Sequence, residues 1–229
     1  RSRFCRECWP YPPLPDVVCA IHTGSGAQAV PDRGQPLKGR PPVTLTVRES
    51  LHGPIISDIL DKAAQSAGKG AVLALSATYL ETEDRTADVF FQINRAQNWD
   101  QFVAALKGFQ APQSNFMYAD TKGDIGFMAP GLVPIRKGGW GLVPSPGWDG
   151  ATDWKGYVPF EDLPSVLNPP SGRIVNSNNA ITGDDYPYFL SFDWSPGYRA
   201  RRILDRIDEK AQSLHGTGKI QQDFVSEMA

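Results

Sequence analysis

The chain has 229 residues, 41% of them hydrophobic, with 23 Lys plus Arg against 25 Asp plus Glu and a net charge of -2. That length supports one sizeable core or two small ones, and the charge balance gives no electrostatic basis for a nucleic-acid partner. No run of eighteen apolar residues exists to cross a membrane, and no apolar N-terminal stretch reads as a signal peptide, so the protein is expected to be intracellular or to have its targeting segment outside this chain. Twenty prolines, 22 glycines and six tryptophans favour a strand-rich and turn-rich protein with a few helices over a helical bundle.

Residues 1–41 carry all three cysteines (Cys5, Cys8, Cys19), four prolines between Pro10 and Pro15, and no sustained period of 2 or 3.6. They take no fold assignment. Cys5-Arg-Glu-Cys8 invites a zinc or redox reading, with His22 as a further ligand, but neither a four-ligand spacing nor a βαβ context accompanies it. A sharp break in composition near Pro41 makes a non-native start the plainer expectation for this stretch.

From Pro42 the pattern becomes regular. Val43 to Arg48 alternates apolar and polar and is rich in β-branched residues, which predicts a half-buried strand; a turn at His52-Gly53-Pro54 leads to a second short strand. His52 beside that turn reads as a general base or, more simply, as a histidine bonded into a loop. The run Ala71 to Thr78 is nearly all apolar and of strand length, so it predicts a strand covered on both faces. Asn98 is a good N-cap for a helix whose apolar face is Phe102, Ala105, Leu106 and Phe109, ending near Gly108. Ser114 to Asp120 and Ile125 to Ala129 predict a hairpin around Thr121-Lys122-Gly123-Asp124. Residues 130–164 read as one long loop region anchored by Trp148, Trp154, Tyr157 and Phe160, the kind of loop that frames a site or packs aromatic area.

The stretch with the most chemistry runs from Asn168 to Asn179, Asn-Pro-Pro-Ser-Gly-Arg-Ile-Val-Asn-Ser-Asn-Asn. Its prolines and glycine predict a rigid turn, and Arg173-Ile174-Val175 predicts the start of a strand. Three asparagines in four positions then follow. A carboxamide held there can donate its NH2 to a developing oxyanion, which is one reading of Asn178. The other is an Asn-rich turn whose side chains bond their own backbone. Farther on, Tyr198 to Ile203 opens a helix that continues through Leu204, Ile207 and Lys210, with Arg199 at its entrance, where it can reach a carboxylate or Asn178.

In order, Asn98-Trp99 with Phe102, Asn115-Phe116-Met117-Tyr118-Ala119-Asp120 with Gly123 and Ile125-Gly126, Pro144 to Gly150, Trp154 to Phe160, Asn168 to Gly172, Asn178-Asn179 and Tyr198-Arg199-Ala200 resemble the β-chain of penicillin acylase family enzymes. The resemblance covers roughly Pro42 to the C-terminus, so residues 42–229 are read as a partial β-chain domain. It implies an α+β fold, the N-terminal nucleophile hydrolase αββα sandwich, incomplete in this chain. It also implies export to the periplasm or medium, and autocatalytic cleavage of one precursor into two chains. The implied reaction is hydrolysis of a small acyl amide, of the penicillin, cephalosporin or acyl-homoserine-lactone type. An N-terminal serine attacks while its own α-amine serves as base. By the same resemblance Asn178 corresponds to the side-chain donor to the oxyanion and Arg199 to an arginine that orients the active-site groups.

Departures from the family pattern shape the remaining expectations. Arg1 and Ser2 lack the pattern that flanks the nucleophile, so the nucleophile, the α-chain and the first part of the β-chain are read as missing, and the isolated chain as an inactive fragment. The contrasting expectation is a catalytically inert remnant or binding module that keeps an aromatic pocket. No cofactor is implied. Some family members carry a structural calcium, but Phe189 and Leu190 stand where an acidic ligand is expected after Tyr186-Pro187, which argues against calcium here.

Overall fold

The computed structural model describes residues 18–22, 28–30, 47–80, 83–214 and 220, with backbone only for the first two segments. In chain order the elements are strands β1 (Val18–His22), β2 (Gln28–Val30), β3 (Val47–Ser50) and β4 (Gly53–Pro54), helix α1 (Asp61–Ala67), strand β5 (Val72–Ser76), and helices α2 (Thr86–Ile93) and α3 (Trp99–Leu106). Strands β6 (Phe116–Ala119), β7 (Ile125–Met128), β8 (Pro134–Arg136), β9 (Ser145–Pro146), β10 (Trp154–Tyr157) and β11 (Ser165–Leu167) follow, and helix α4 (Tyr198–Ser213) closes the series. Helices and mostly antiparallel sheets coexist, as the α+β expectation requires. The contacts divide the chain into two units.

The first unit gathers the described residues of Arg1–Phe91, Gly108–Gln113 and Gly131–Pro159. Its central strand is β5, which pairs antiparallel with β1 from Val18↔Ser76 to His22↔Val72; β1 in turn pairs parallel with β9. Leu73 and Ala74 are consecutive in β5 and so point to opposite faces, yet both are buried. The continuous apolar run is therefore covered on both sides. β3 forms a second small sheet with β2 and β4, and residues 43–46, where the predicted strand begins, lie outside the described residues. Ile55, just after β4, bridges to Ala74 and is itself buried. In α2, Asp84 accepts from the Thr86 amide, while the Thr86 hydroxyl accepts from the backbone of Gln110 and Ala111 and ties the helix start to the 108–113 segment. The stretch read as one long loop contains β8, β9 and β10: β8 and β10 pair antiparallel, with a bulge between Trp154 and Tyr157 where Gly156 takes φ +134. Short strands separated by Pro and Gly carry too little alternation to be seen in sequence.

The second unit gathers Gln92–Lys107, Ser114–Pro130 and the described part of Phe160–Ala229. Here the hairpin and the capped helix form as predicted. Asn98 accepts from the Gln101 amide at 2.9 Å, and α3 runs to Leu106. β6 and β7 pair from Phe116↔Met128 to Ala119↔Ile125, and β11 adds a third antiparallel strand on the far side of β7. Phe116 and Tyr118 share one face, and α3 covers it. Trp99 stacks on Phe102 with centroids 5.9 Å apart and meets Tyr118 edge-on at 5.5 Å, while Phe102 lies 5.2 Å from Tyr118. Leu106 is fully buried below them.

Gly126 stands opposite Tyr118 in the ladder and under the Trp99 ring. A Cβ built there would fall 2.3 Å from Trp99 Cζ3. Gly126→Ala is therefore expected to push the indole off its stack and cost about 2 kcal/mol in urea denaturation. The cost should shrink when Trp99→Leu is also present, because the obstacle is a side chain that can be removed.

Candidate functional site

The turn that leads to the asparagine cluster is built before the cluster is reached. Asn168 takes φ +48, a left-handed conformation that asparagine tolerates, and uses its whole carboxamide on the β6–β7 hairpin. Its Oδ1 accepts from the Ile125 amide at 2.9 Å and its Nδ2 donates to Asp124 Oδ1 at 2.8 Å. The backbone amide of Gly172, which takes φ +67, donates to Pro169 O at 2.8 Å to complete the turn. The strand predicted over Arg173–Val175 does not form. Ile174 and Val175 have β-branched side chains, but no described strand offers them a ladder, and the segment is fixed by side chains instead. Arg173 forms an ion pair with Asp208 of α4.

Two of the three asparagines take the turn-forming role. Asn176 Oδ1 accepts from the Asn178 amide at 3.2 Å, and Asn179 Oδ1 accepts from the Ser177 amide at 3.0 Å, so both behave as turn-forming side chains. Asn178 does not. It sits at φ +63, its backbone carbonyl accepts from the Ser195 amide at 2.8 Å, and its side chain takes no part in the turn. Arg199 Nη1 donates to Asn178 Oδ1 at 3.3 Å and approaches Ser177 O at 3.5 Å. The reach of Arg199 to Asn178 is thus present. With the carboxamide oxygen engaged, its NH2 is left exposed and without a hydrogen-bond partner among the described residues.

Electrostatics adds to this. α4 has no acidic residue in its first turn, where Arg199, Arg201 and Arg202 stand, although the positive end of the helix dipole disfavours cations. Arg199 therefore contributes little to the helix. Its charge instead draws electron density from the carboxamide oxygen and makes the NH2 a better donor. Arg201 and Arg202 extend into solvent and pair along the helix with Asp205 and Glu209.

His52 takes the loop-bonded role. Its Nε2 lies 2.9 Å from Asp153 Oδ1, and Asp153 Oδ2 accepts from Lys137 Nζ at 3.1 Å. The bonds from His52 and then Lys137 hold the Asp153 carboxyl below the usual carboxylate range. Asp153 carries no sequence signal for this pairing, being 101 positions away. Cys5 and Cys8 lie outside the described residues, as does the Cys19 side chain. Among the described residues no three His, Cys, Asp or Glu side chains converge on a point that could hold a metal ion. Nor is any helix among them long and apolar enough to cross a membrane.

Residues 30–229 match the model of the penicillin amidase family. The chain belongs to that family. It is 35% identical over 160 residues to penicillin acylase 2 proenzyme of Pseudomonas sp. (strain SE83), an alignment covering 69% of this chain and 20% of the relative. It is 37% identical over 187 residues to the acyl-homoserine lactone acylase QuiP of Pseudomonas fluorescens, covering 82% of this chain and 22% of the relative. Penicillin G acylase of Escherichia coli is 34% identical over 174 residues, covering 75% of this chain and 19% of the relative. The chain thus spans about a fifth of the length of these curated relatives. Its fold is similar to that of the thermostable penicillin G acylase of Alcaligenes faecalis, with a TM-score of 0.65 and 21% identity over 86% of this chain and 36% of that one. Asparagine and arginine at the positions singled out thus lie within a penicillin amidase chain. Asn176, whose side chain bonds the Asn178 amide, has no local sequence pattern that distinguishes it from Asn179.

Proposed function

We propose that this chain is part of a longer amidohydrolase that removes the acyl group from a small linear amide, of the penicillin, cephalosporin or acyl-homoserine-lactone type. The observation that carries the reading is the Asn178 carboxamide, pinned through its oxygen by Arg199 with its NH2 unspent. A preorganised donor of this kind is worth most at the moment a carbonyl oxygen gains charge. The names of the relatives support the reaction class.

In this reading the attacking group is an N-terminal serine outside these 229 residues, set on an αββα sandwich that the present elements complete only in part. Its hydroxyl oxygen bonds to the amide carbon while its α-amine, with a pKa of about 7.7–8.0, takes the hydroxyl proton. The carbonyl electrons move onto oxygen, where Asn178 donates. Collapse breaks the C–N bond, the α-amine returns the proton to the departing nitrogen, and water then hydrolyses the acyl ester. Maturation of a precursor and export to the periplasm or medium belong to the same proposal.

The test is hydrolysis of chromogenic acyl anilides, phenylacetyl and longer fatty acyl, by the complete polypeptide. Release of chromophore by the complete protein and none by residues 1–229 alone is the expected result. Turnover by the isolated chain would disprove an external nucleophile, and no turnover by a correctly matured complete protein on any acyl anilide would defeat the reaction class.

A further inference from the structure

We infer that Asn115 is a positioning residue for Asn178, acting through the carboxamide of Asn176. This rests on the role proposed above for Asn178 and adds a support two residues removed from it. Asn176 Oδ1 accepts two hydrogen bonds, from the Asn178 backbone amide at 3.2 Å and from Asn115 Nδ2 at 3.0 Å. Its own Nδ2 is buried with no partner among the described residues. An amide that strands its NH2 in this way is held in its orientation by what its oxygen receives, since a flip would set NH2 against two donors.

The first of those bonds fixes the backbone at Asn178, whose φ of +63 is a conformation few non-glycine residues hold without support. Ser195 holds the carbonyl side of the same residue at 2.8 Å, and Arg199 holds the side-chain oxygen. Asn115 supplies the link to rigid structure. It immediately precedes β6, whose Phe116 and Tyr118 are gripped by the α3 aromatic cluster, and its bond to Asn176 ties an exposed turn to that sheet. A donor that must meet an oxyanion within a fraction of an ångström needs such a tie, and a hydrogen bond from an ordered strand end provides it.

The test uses the complete polypeptide, with kcat and KM measured on an acyl anilide for Asn115→Ala, Asn115→Asp, Asn178→Ala and the double variant Asn115→Ala with Asn178→Ala. Asn115→Asp keeps the shape but replaces the donor with a negatively charged acceptor, so packing is retained while the hydrogen bond to Asn176 Oδ1 is lost. Both Asn115 variants are expected to lose about fivefold in kcat with KM nearly unchanged, and the double variant to be no slower than Asn178→Ala alone, because both changes act through one donor. An unchanged kcat in Asn115→Asp, or a loss in the double variant that multiplies the two single losses, overturns the inference while leaving Asn178 in its role. If Asn178→Ala itself keeps its kcat, the role of Asn178 fails first and takes this support with it.

Discussion

Asn178→Ala in the complete polypeptide is expected to lower kcat by a hundredfold or more, about 3 kcal/mol of transition-state stabilisation, with KM changed less than about threefold. The split follows from what the side chain faces. A ground-state amide oxygen carries only partial charge, and water can serve it nearly as well as a carboxamide. The tetrahedral intermediate carries a full charge on that oxygen, and a donor already held in place costs no reorganisation when the charge appears. Asn178 is held at three points, its amide, its carbonyl and its side-chain oxygen, so little remains to be ordered during reaction. Asn178→Asp is expected to be at least as slow, since it replaces the donor with a negative charge. Arg199→Ala removes the restraint on the oxygen and its polarisation but leaves the donor in place, and should cost less than Asn178→Ala. A kcat within about threefold of the parent for Asn178→Ala would remove Asn178 from the mechanism.

What could be read in advance depended on whether the deciding interactions were local. The α3 helix announces itself through the Asn98 cap and the spacing of Phe102, Ala105 and Leu106, and the β6–β7 hairpin through the polar turn with Gly123 between two apolar segments; in both, partners lie within a dozen residues. α2 is hard to see in sequence because Val89, Phe90 and Phe91 run together without a helical stripe, and only Val89 is buried. α1 is hard to see because Asp-Lys-Ala-Ala-Gln-Ser-Ala has almost no apolar stripe, and only Ala67 is buried. The β-branched Ile174 and Val175 suggest a strand, but whether one forms depends on a partner strand that local sequence does not reveal. In the site, the contact between Arg199 and Asn178 was anticipated from the helix entrance, whereas the division of labour among Asn176, Asn178 and Asn179 was not. Three identical side chains in four positions differ only in which neighbours their backbone geometry lets them reach.

The second large effect falls on stability, at Gly53. Gly53→Ala is expected to destabilise the fold by about 3 kcal/mol or more, two costs acting together. The residue takes φ +115, which an L side chain rarely adopts, and a Cβ there would fall 2.1 Å from the carbonyl oxygen of Leu75. Gly126 offers the instructive contrast, since its obstacle is the Trp99 ring and a second substitution can clear it. At Gly53 the obstacle is the main chain of β5, the strand whose Leu73 and Ala74 are buried on opposite faces. No side-chain change can make room, and moving β5 would disturb its pairing with β1 and the bridge from Ile55 to Ala74. In urea denaturation the midpoint should therefore drop for Gly53→Ala in every background, including one with Leu75→Ala. A loss under about 1 kcal/mol, or recovery on shortening Leu75, would show that β4 can shift away from β5 at little cost and that the close approach at Gly53 is not what holds the turn.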